Sequence, residues 1–183
     1  MVIAPAARRS SLKDGPDGLE LVIPAKRNLF LMLFLLAWLG GWAFGEVSAL
    51  KELRSGAGAP KAFLAFWLVG WTLGGGFAAS VWLWMLAGRE RILLRSGILA
   101  VRREVFGLGW TREYDLAQVR NLRVSAESDN RAGWGATGRF WGFSGGPVAF
   151  DYGASTVRCA ASVDEPEAAQ IIRDLKTRHA FAE

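Results

Sequence analysis

The sequence predicts a membrane α+β protein: an N-terminal transmembrane hairpin of two helices, then a small antiparallel β barrel or sandwich with a C-terminal amphipathic helix. Three observations predict it. Two long runs without a charged residue, 29–45 and 63–88, lie in the first half of the 183-residue chain. Short alternating segments punctuated by glycine follow them. The last segment opens on acids and a proline and closes on bases.

Composition agrees with the first observation. Hydrophobic residues make up 51% of the chain, and nine Trp stand against two Tyr. Trp favours membrane interfaces because its ring is apolar and its N–H stays wet. The formal charge of +5 suits nucleic acid, anionic lipid or the positive-inside bias of a membrane protein, so the position of the charges must decide. The single cysteine, Cys159, excludes an internal disulfide and a cysteine zinc cluster.

Residues 1–18 carry Arg8, Arg9, Lys13, Pro5 and Pro16 and read as a flexible basic tail. LELVI at 19–23 alternates and reads as a short strand. Lys26 and Arg27 then precede LFLMLFLLAWLGGWAFG, which Glu46 ends. A crossing needs about 20 apolar residues and at least roughly 17, so a span over about 28–47 suffices. A cleaved signal peptide fits less well, because the preceding segment is long and a second span follows. That second span, 63–88, is long enough to cross with tilt. The polar link holds Lys51, Arg54 and Lys61 between the spans, so the two helices form an antiparallel hairpin over 19–88.

The flanks set the orientation. Lys26 and Arg27 precede the first span; Arg89, Arg91, Arg95, Arg102 and Arg103 follow the second. Cytoplasmic flanks collect Lys and Arg, which places both termini in the cytoplasm. The same five arginines are the candidate sites for anionic headgroups, each such charge adding about 1 kcal/mol of attraction. Residues 88–183 hold 14 Arg or Lys against 12 Asp or Glu. The basic character is therefore local, and no nucleic-acid-binding motif accompanies it.

Strands are expected at 91–96, 98–106, 110–116, 119–125, 147–153 and 155–161, where alternation is broken by glycine turns. Asp164, Glu165, Pro166 and Glu167 then open a helix, and Ala168, Ile171, Ile172 and Leu175 share one of its faces. These elements make a cytoplasmic domain of residues 89–183.

This order resembles the bacterial pleckstrin-homology-like membrane proteins, in which a two-helix hairpin precedes a small β barrel or sandwich closed by a helix. The stretches that carry the resemblance are GWTLGG (70–75), ERILL (90–94) with Gly97, REYDLAQVRNLRV (112–124), and VAFDYGASTVR (148–158) leading into DEPEAAQII (164–172). The resemblance covers residues 19–183 and implies a binding or scaffolding module without catalysis. The glycine-rich stretch 126–146 departs from it, being longer than a hairpin turn.

No catalytic, cofactor-binding or metal-ligating residue is expected. His179, the single histidine, ends the predicted helix, where a base complements the dipole. No phosphate-binding or zinc-protease spacing occurs. Neither charge-free run contains His, Cys, Asp or Glu, so a histidine-ligated pigment and an ion path within the membrane are not expected. Met32 and Met85 read as packing residues. The spans do carry packing signals: Gly41 with Gly45, and Gly70 with Gly74, are four apart, which lets helix backbones approach. Trp38 and Trp71 lie deeper than interfacial anchors need to. In the 126–146 stretch, Trp134, Arg139, Phe140, Trp141 and Phe143 are candidate contact residues, since aromatics with arginine mark contact hot spots.

The functional expectation is a non-enzymatic accessory or scaffold subunit. Its partners would be the lipid bilayer and other integral membrane subunits of a larger complex, for which a photosynthetic or respiratory assembly would suit. No small-molecule substrate and no nucleic acid is expected. The alternative is a membrane-anchored module that binds anionic lipid headgroups or regulates a membrane partner.

Overall fold

The computed structural model describes residues 9–15, 18–55, 60–125, 145–179 and 181. The chain divides into two compact units. One is Arg27–Leu86; the other is built from the segments on either side of it.

The second unit begins earlier than the sequence suggests. Strands β1 (Ser11–Gly15) and β2 (Gly18–Pro24) precede the apolar helices α1 (Leu29–Ser55) and α2 (Lys61–Ala87). After α2 come β3 (Gly88–Arg95), β4 (Ile98–Val105) and β5 (Leu108–Asp115). A 3-10 turn, Leu116–Gln118, leads into β6 (Val119–Val124), then β7 (Val148–Tyr152), β8 (Ser155–Cys159) and helix α3 (Glu165–Arg178). The first five strands form one antiparallel sheet in the order β1-β2-β3-β4-β5; β6-β7-β8 form a second.

Three expectations are corrected here. The strand expected at 19–23 is present as β2, but it belongs with the strands after the helices: it pairs with β3 across the whole hairpin, Leu21 facing Ile92 and Ile23 facing Glu90. The hairpin is thus an insertion between neighbouring strands, and the boundary expected at residue 89 cuts through one sheet. Residues 1–18 are not all tail. Arg9 N, Ser10 N and Ser10 Oγ donate to Glu167 Oε1 at 3.0, 2.7 and 2.6 Å, and β1 pairs with β2 from Ser11 to Gly15. Finally, among the described residues the strands make two separate sheets, and no barrel closes.

The core lies between the sheets and under α3. Leu19, Leu21 and Ile23 of β2, Ile92 and Leu94 of β3, Leu99 of β4 and Tyr114 of β5 face one way, as the two-residue period of a strand requires. They meet Phe150, Val148, Leu122 and Cys159 of the second sheet. Tyr114 sets its ring edge-on to Phe150 with centroids 5.1 Å apart, a geometry that aromatic quadrupoles favour. Helix α3 covers β6 and β7 with Ala168, Ile171, Ile172 and Leu175, the face expected from sequence. Its start is capped as expected too: Asp164 accepts from Glu167 N at 2.9 Å, with proline in the first turn.

The other unit is made of α1 and α2. Each has 27 residues, about 40 Å of helix at 1.5 Å per residue, against a hydrocarbon layer about 30 Å thick. Both are long and apolar enough to cross a membrane. Core helices of soluble proteins are mostly buried. Here only 6% and 22% of the most apolar windows are buried.

Candidate functional site

The hairpin holds itself together by an exchange of indoles. Trp42 of α1 lies over Gly75 of α2, at the place where a β-carbon on Gly75 would collide with its ring. Trp71 of α2 lies over Gly45 of α1, where a β-carbon would stand 3.3 Å from the ring. Each indole donates to the other residue's carbonyl: Trp42 Nε1 to Trp71 O at 2.9 Å, and Trp71 Nε1 to Trp42 O at 3.3 Å. Trp82 Nε1 repeats the device on Met32 O at 3.1 Å. A buried indole N–H without an acceptor is costly in hydrocarbon, where no water can satisfy it. The deep position of Trp71 is thereby explained: it is a cross-helix donor packed on glycine. Trp67 stacks on it at 4.6 Å and Trp38 approaches it at 6.5 Å.

Of the four glycines expected to pack, the structure brings only Gly45 into close contact. A β-carbon at Gly41, Gly70 or Gly74 would meet nothing within 4 Å. Gly75 is the residue whose pairing the spacing rule misses. Four-residue periodicity marks Gly70 with Gly74, but the face toward α1 is the one carrying Gly75, Ala78 and Val81. Glu46, expected to end the first span, lies inside α1 and accepts from Thr72 Oγ1 at 2.7 Å. Beyond it Ala49, Leu64 and Leu68 close the hairpin, with Leu53 packed alongside.

The five candidate headgroup arginines do not share a face. Arg89, Arg91 and Arg95 alternate with the core side of β3, and Arg102 lies beside them on β4. Arg103 points to the core side. Among the described residues, carboxylates engage three of the five. Arg91 Nε binds Glu104 Oε1 at 2.7 Å and its Nη1 binds Glu20 Oε1 at 2.8 Å. Arg102 Nε lies 2.9 Å from Glu104 Oε2. Arg103 Nε lies 3.5 Å from Glu90 Oε1. Burial works against the charge on Arg91, yet its hydrogen bonds to Glu20 and Glu104 outweigh that and raise its pKa. Glu90 and Glu104 are 2% and 5% exposed, so these pairs hold buried charge in place. Arg89 and Arg95 are exposed. Arg95 ends β3 seven residues after Gly88, about 23 Å along the strand.

On the second sheet, Asp151 accepts from Arg123 Nη1 at 2.8 Å, Asn121 Nδ2 at 3.0 Å and Thr156 Oγ1 at 2.7 Å. The Arg123 hydrogen bond, then that of Thr156, holds its carboxyl down at about 2. Burial pushes the Cys159 thiol up, and the charge of Glu90 adds to this, so Cys159 is a packing residue rather than a nucleophile. Among the described residues no three His, Cys, Asp or Glu side chains are grouped to hold a metal ion. His179 caps α3 and sets its ring edge-on to Phe181. Trp134, Arg139, Phe140, Trp141 and Phe143 lie outside the described residues. Comparison with known protein families, curated proteins and solved structures finds no match to the chain.

Proposed function

We propose that this chain is a non-enzymatic accessory subunit of a bacterial inner-membrane complex, with a membrane-spanning hairpin and a cytoplasmic β unit of the pleckstrin-homology-like kind. The observation that carries the reading is the open glycine face of α2. Gly70 and Gly74 are one helical turn apart, and a β-carbon at either would meet nothing. The hairpin packs through Gly45 and Gly75 instead. A small-residue face of this kind, left over after internal packing, suits close approach by the helix of another subunit.

The insertion point supports the topology. Ala25 N donates to Gly88 O at 2.9 Å, so the chain segments entering and leaving the hairpin are tied side by side in one sheet. Both ends then emerge on one side of a membrane, and Lys26, Arg27 and Arg89 at those ends favour the cytoplasmic side. The order of two sheets and a C-terminal helix supports a binding module, and a photosynthetic or respiratory assembly remains a suitable host.

Gentle detergent extraction from native membranes, native sizing and identification of co-purifying proteins test the reading. A stoichiometric larger assembly is expected, and Gly70→Leu with Gly74→Leu should release the chain from it. A wild-type chain that migrates alone or as a small homo-oligomer would overturn the reading. The headgroup-binding alternative is narrowed by the ion pairs. Charge reversal at Arg102 or Arg103 would strike Glu104 or Glu90 first, so Arg89 with Arg27 is the informative pair for vesicle-binding assays.

A further inference from the structure

Strand β3 begins at Gly88, the residue after α2 ends, without any linker. Its partner β4 runs the other way, so Val105 faces Gly88, and the chain turns at Phe106–Gly107 just past that point. The β4–β5 tip therefore sits at the end of the sheet where the chain enters and leaves the apolar hairpin. Two strand spacings, about 10 Å, separate the start of β5 from Gly88. Among the described residues the tip carries the most exposed large apolar side chains of the β unit: Phe106 at 69%, Leu108 at 82% and Trp110 at 85%.

The turn itself is informative. Phe106 has φ 51° and Gly107 φ 84°, the pattern of a tight hairpin turn with both central residues left-handed. Asn, Asp or Gly fits its first position, whereas a bulky side chain there is strained. Neither backbone geometry nor core packing favours an outward phenylalanine here. Arg102 Nη2 donates to Gly107 O at 2.8 Å and braces the turn. A braced tip with Phe, Leu and Trp exposed beyond the end of the core has the chemistry of a bilayer interface, where aromatic rings sit at headgroup level.

We infer that the β4–β5 tip is an interfacial anchor: Phe106, Leu108 and Trp110 insert into the surface of the bilayer that the hairpin crosses. The anchor would steady the β unit against the membrane face, adding a third attachment to the two chain connections. The inference rests on the membrane-spanning reading, and its test separates the two.

Leu108→Cys, Ile98→Cys and Phe66→Cys variants of the full chain would each be labelled with an environment-sensitive nitrobenzoxadiazole dye. They would then be reconstituted into phosphatidylcholine–phosphatidylglycerol vesicles. The buried Cys159 (2% exposed) is shielded from the label. Ile98 lies at the opposite end of the same sheet, and Phe66, 81% exposed on α2, reports the hairpin. The dye at 108 is expected to shift its emission to shorter wavelength and to lose most of it to doxyl-labelled lipid, while the dye at 98 does neither. A dye at 108 that matches the one at 98 while 66 is quenched overturns the anchor and leaves the hairpin reading standing. A dye at 108 shielded from water but untouched by doxyl lipid also overturns it, because protein then covers the tip. Failure of the dye at 66 to be quenched sinks the membrane-spanning reading, and the anchor with it.

Discussion

In the β unit the largest side chains with no appreciable exposure are Phe150, Leu21, Ile23, Ile92, Leu99 and Ile171. In the hairpin Phe30, Phe44, Phe66 and Leu73 are 69–81% exposed. Among the described residues the hairpin is closed by packed glycines, indole N–H groups and a carboxylate–hydroxyl pair, with only a small apolar cluster at Ala49, Leu64 and Leu68. With the hairpin spanning a membrane as proposed, two rules of assembly operate in one chain. Where water is the solvent, burying apolar area contributes about 25 cal/mol per Å², and aromatic side chains go inside. Where lipid is the solvent that gain vanishes, so close backbone approach and satisfied N–H groups do the joining.

The comparison breaks most sharply at Phe150. Phe150→Ala removes a fully buried ring that Tyr114 packs against, and should cost the β unit about 3–5 kcal/mol. Phe66→Ala, the same change on the exposed side of α2, should alter hairpin stability by no more than about 0.5 kcal/mol. Urea unfolding in detergent followed by near-ultraviolet circular dichroism would measure both. Equal losses would show that the hairpin obeys the same rule as the core.

Buried charge is the next contrast. Arg103→Ala leaves Glu90, 2% exposed, with one hydrogen bond from Ala161 N at 3.1 Å and no countercharge from Arg103. A loss of about 1–3 kcal/mol is expected, because a carboxylate desolvated for its partner then lacks it. Arg89→Ala, an exposed residue on the same sheet, should be nearly silent. If the two variants unfold alike, the Glu90–Arg103 contact is not holding the sheet.

Inside the hairpin the two adjacent glycines should differ. Gly75→Leu expels the Trp42 ring and its hydrogen bond, an overpacking change worth about 1–3 kcal/mol. Gly74→Leu projects into open space. A disulfide between Ala49→Cys and Leu68→Cys, residues of one packed cluster, reports hairpin closure. Its yield should fall with Gly75→Leu and hold with Gly74→Leu. The reverse order would mean that the glycines trade places in the membrane.

What was legible in the sequence follows from the reach of each signal. Every strand after residue 88 and helix α3 are present within a few residues of their expected positions, because alternation, glycine turns and capping are local. The pairing of β2 with β3 is not local: Val22 and Arg91 face each other although they lie 69 positions apart, a closeness that no local pattern reports. Strand β1 escapes a reading of the sequence because Lys13 and Asp14 give it a polar edge-strand character that reads as tail. Glu167 was read as a helix-dipole acid, and its role as acceptor for Arg9 and Ser10 depends on that same distant strand. Glycine spacing marked the hairpin as tightly packed but could not say which face was inside, since the choice rests on Trp42 and Trp71 across the interface.

The smallest expected effect lies in the second sheet, outside both extremes of the comparison. Asp151 is neither buried like Glu90 nor set in lipid; it is a half-exposed carboxylate with three donors. Its carboxyl is held at about 2 against an ordinary 3.8, first by Arg123 and then by Thr156. The ionised form is the one those donors favour, so the stabilisation is fully present above the ordinary value. It fades as pH falls below 3.8 and through the folded value. Between about pH 5 and about pH 3 the urea midpoint of the wild type should therefore drop further than that of Asp151→Asn, whose amide cannot titrate. In that variant an amide oxygen in the Oδ2 place keeps the Asn121 and Arg123 donors and the amide nitrogen in the Oδ1 place donates to Thr156 Oγ1, so the β6–β7 pairing survives and the two curves remain comparable. Parallel curves across that window would mean that solvent already satisfies Asp151, and that the Arg123 contact contributes nothing beyond what water supplies.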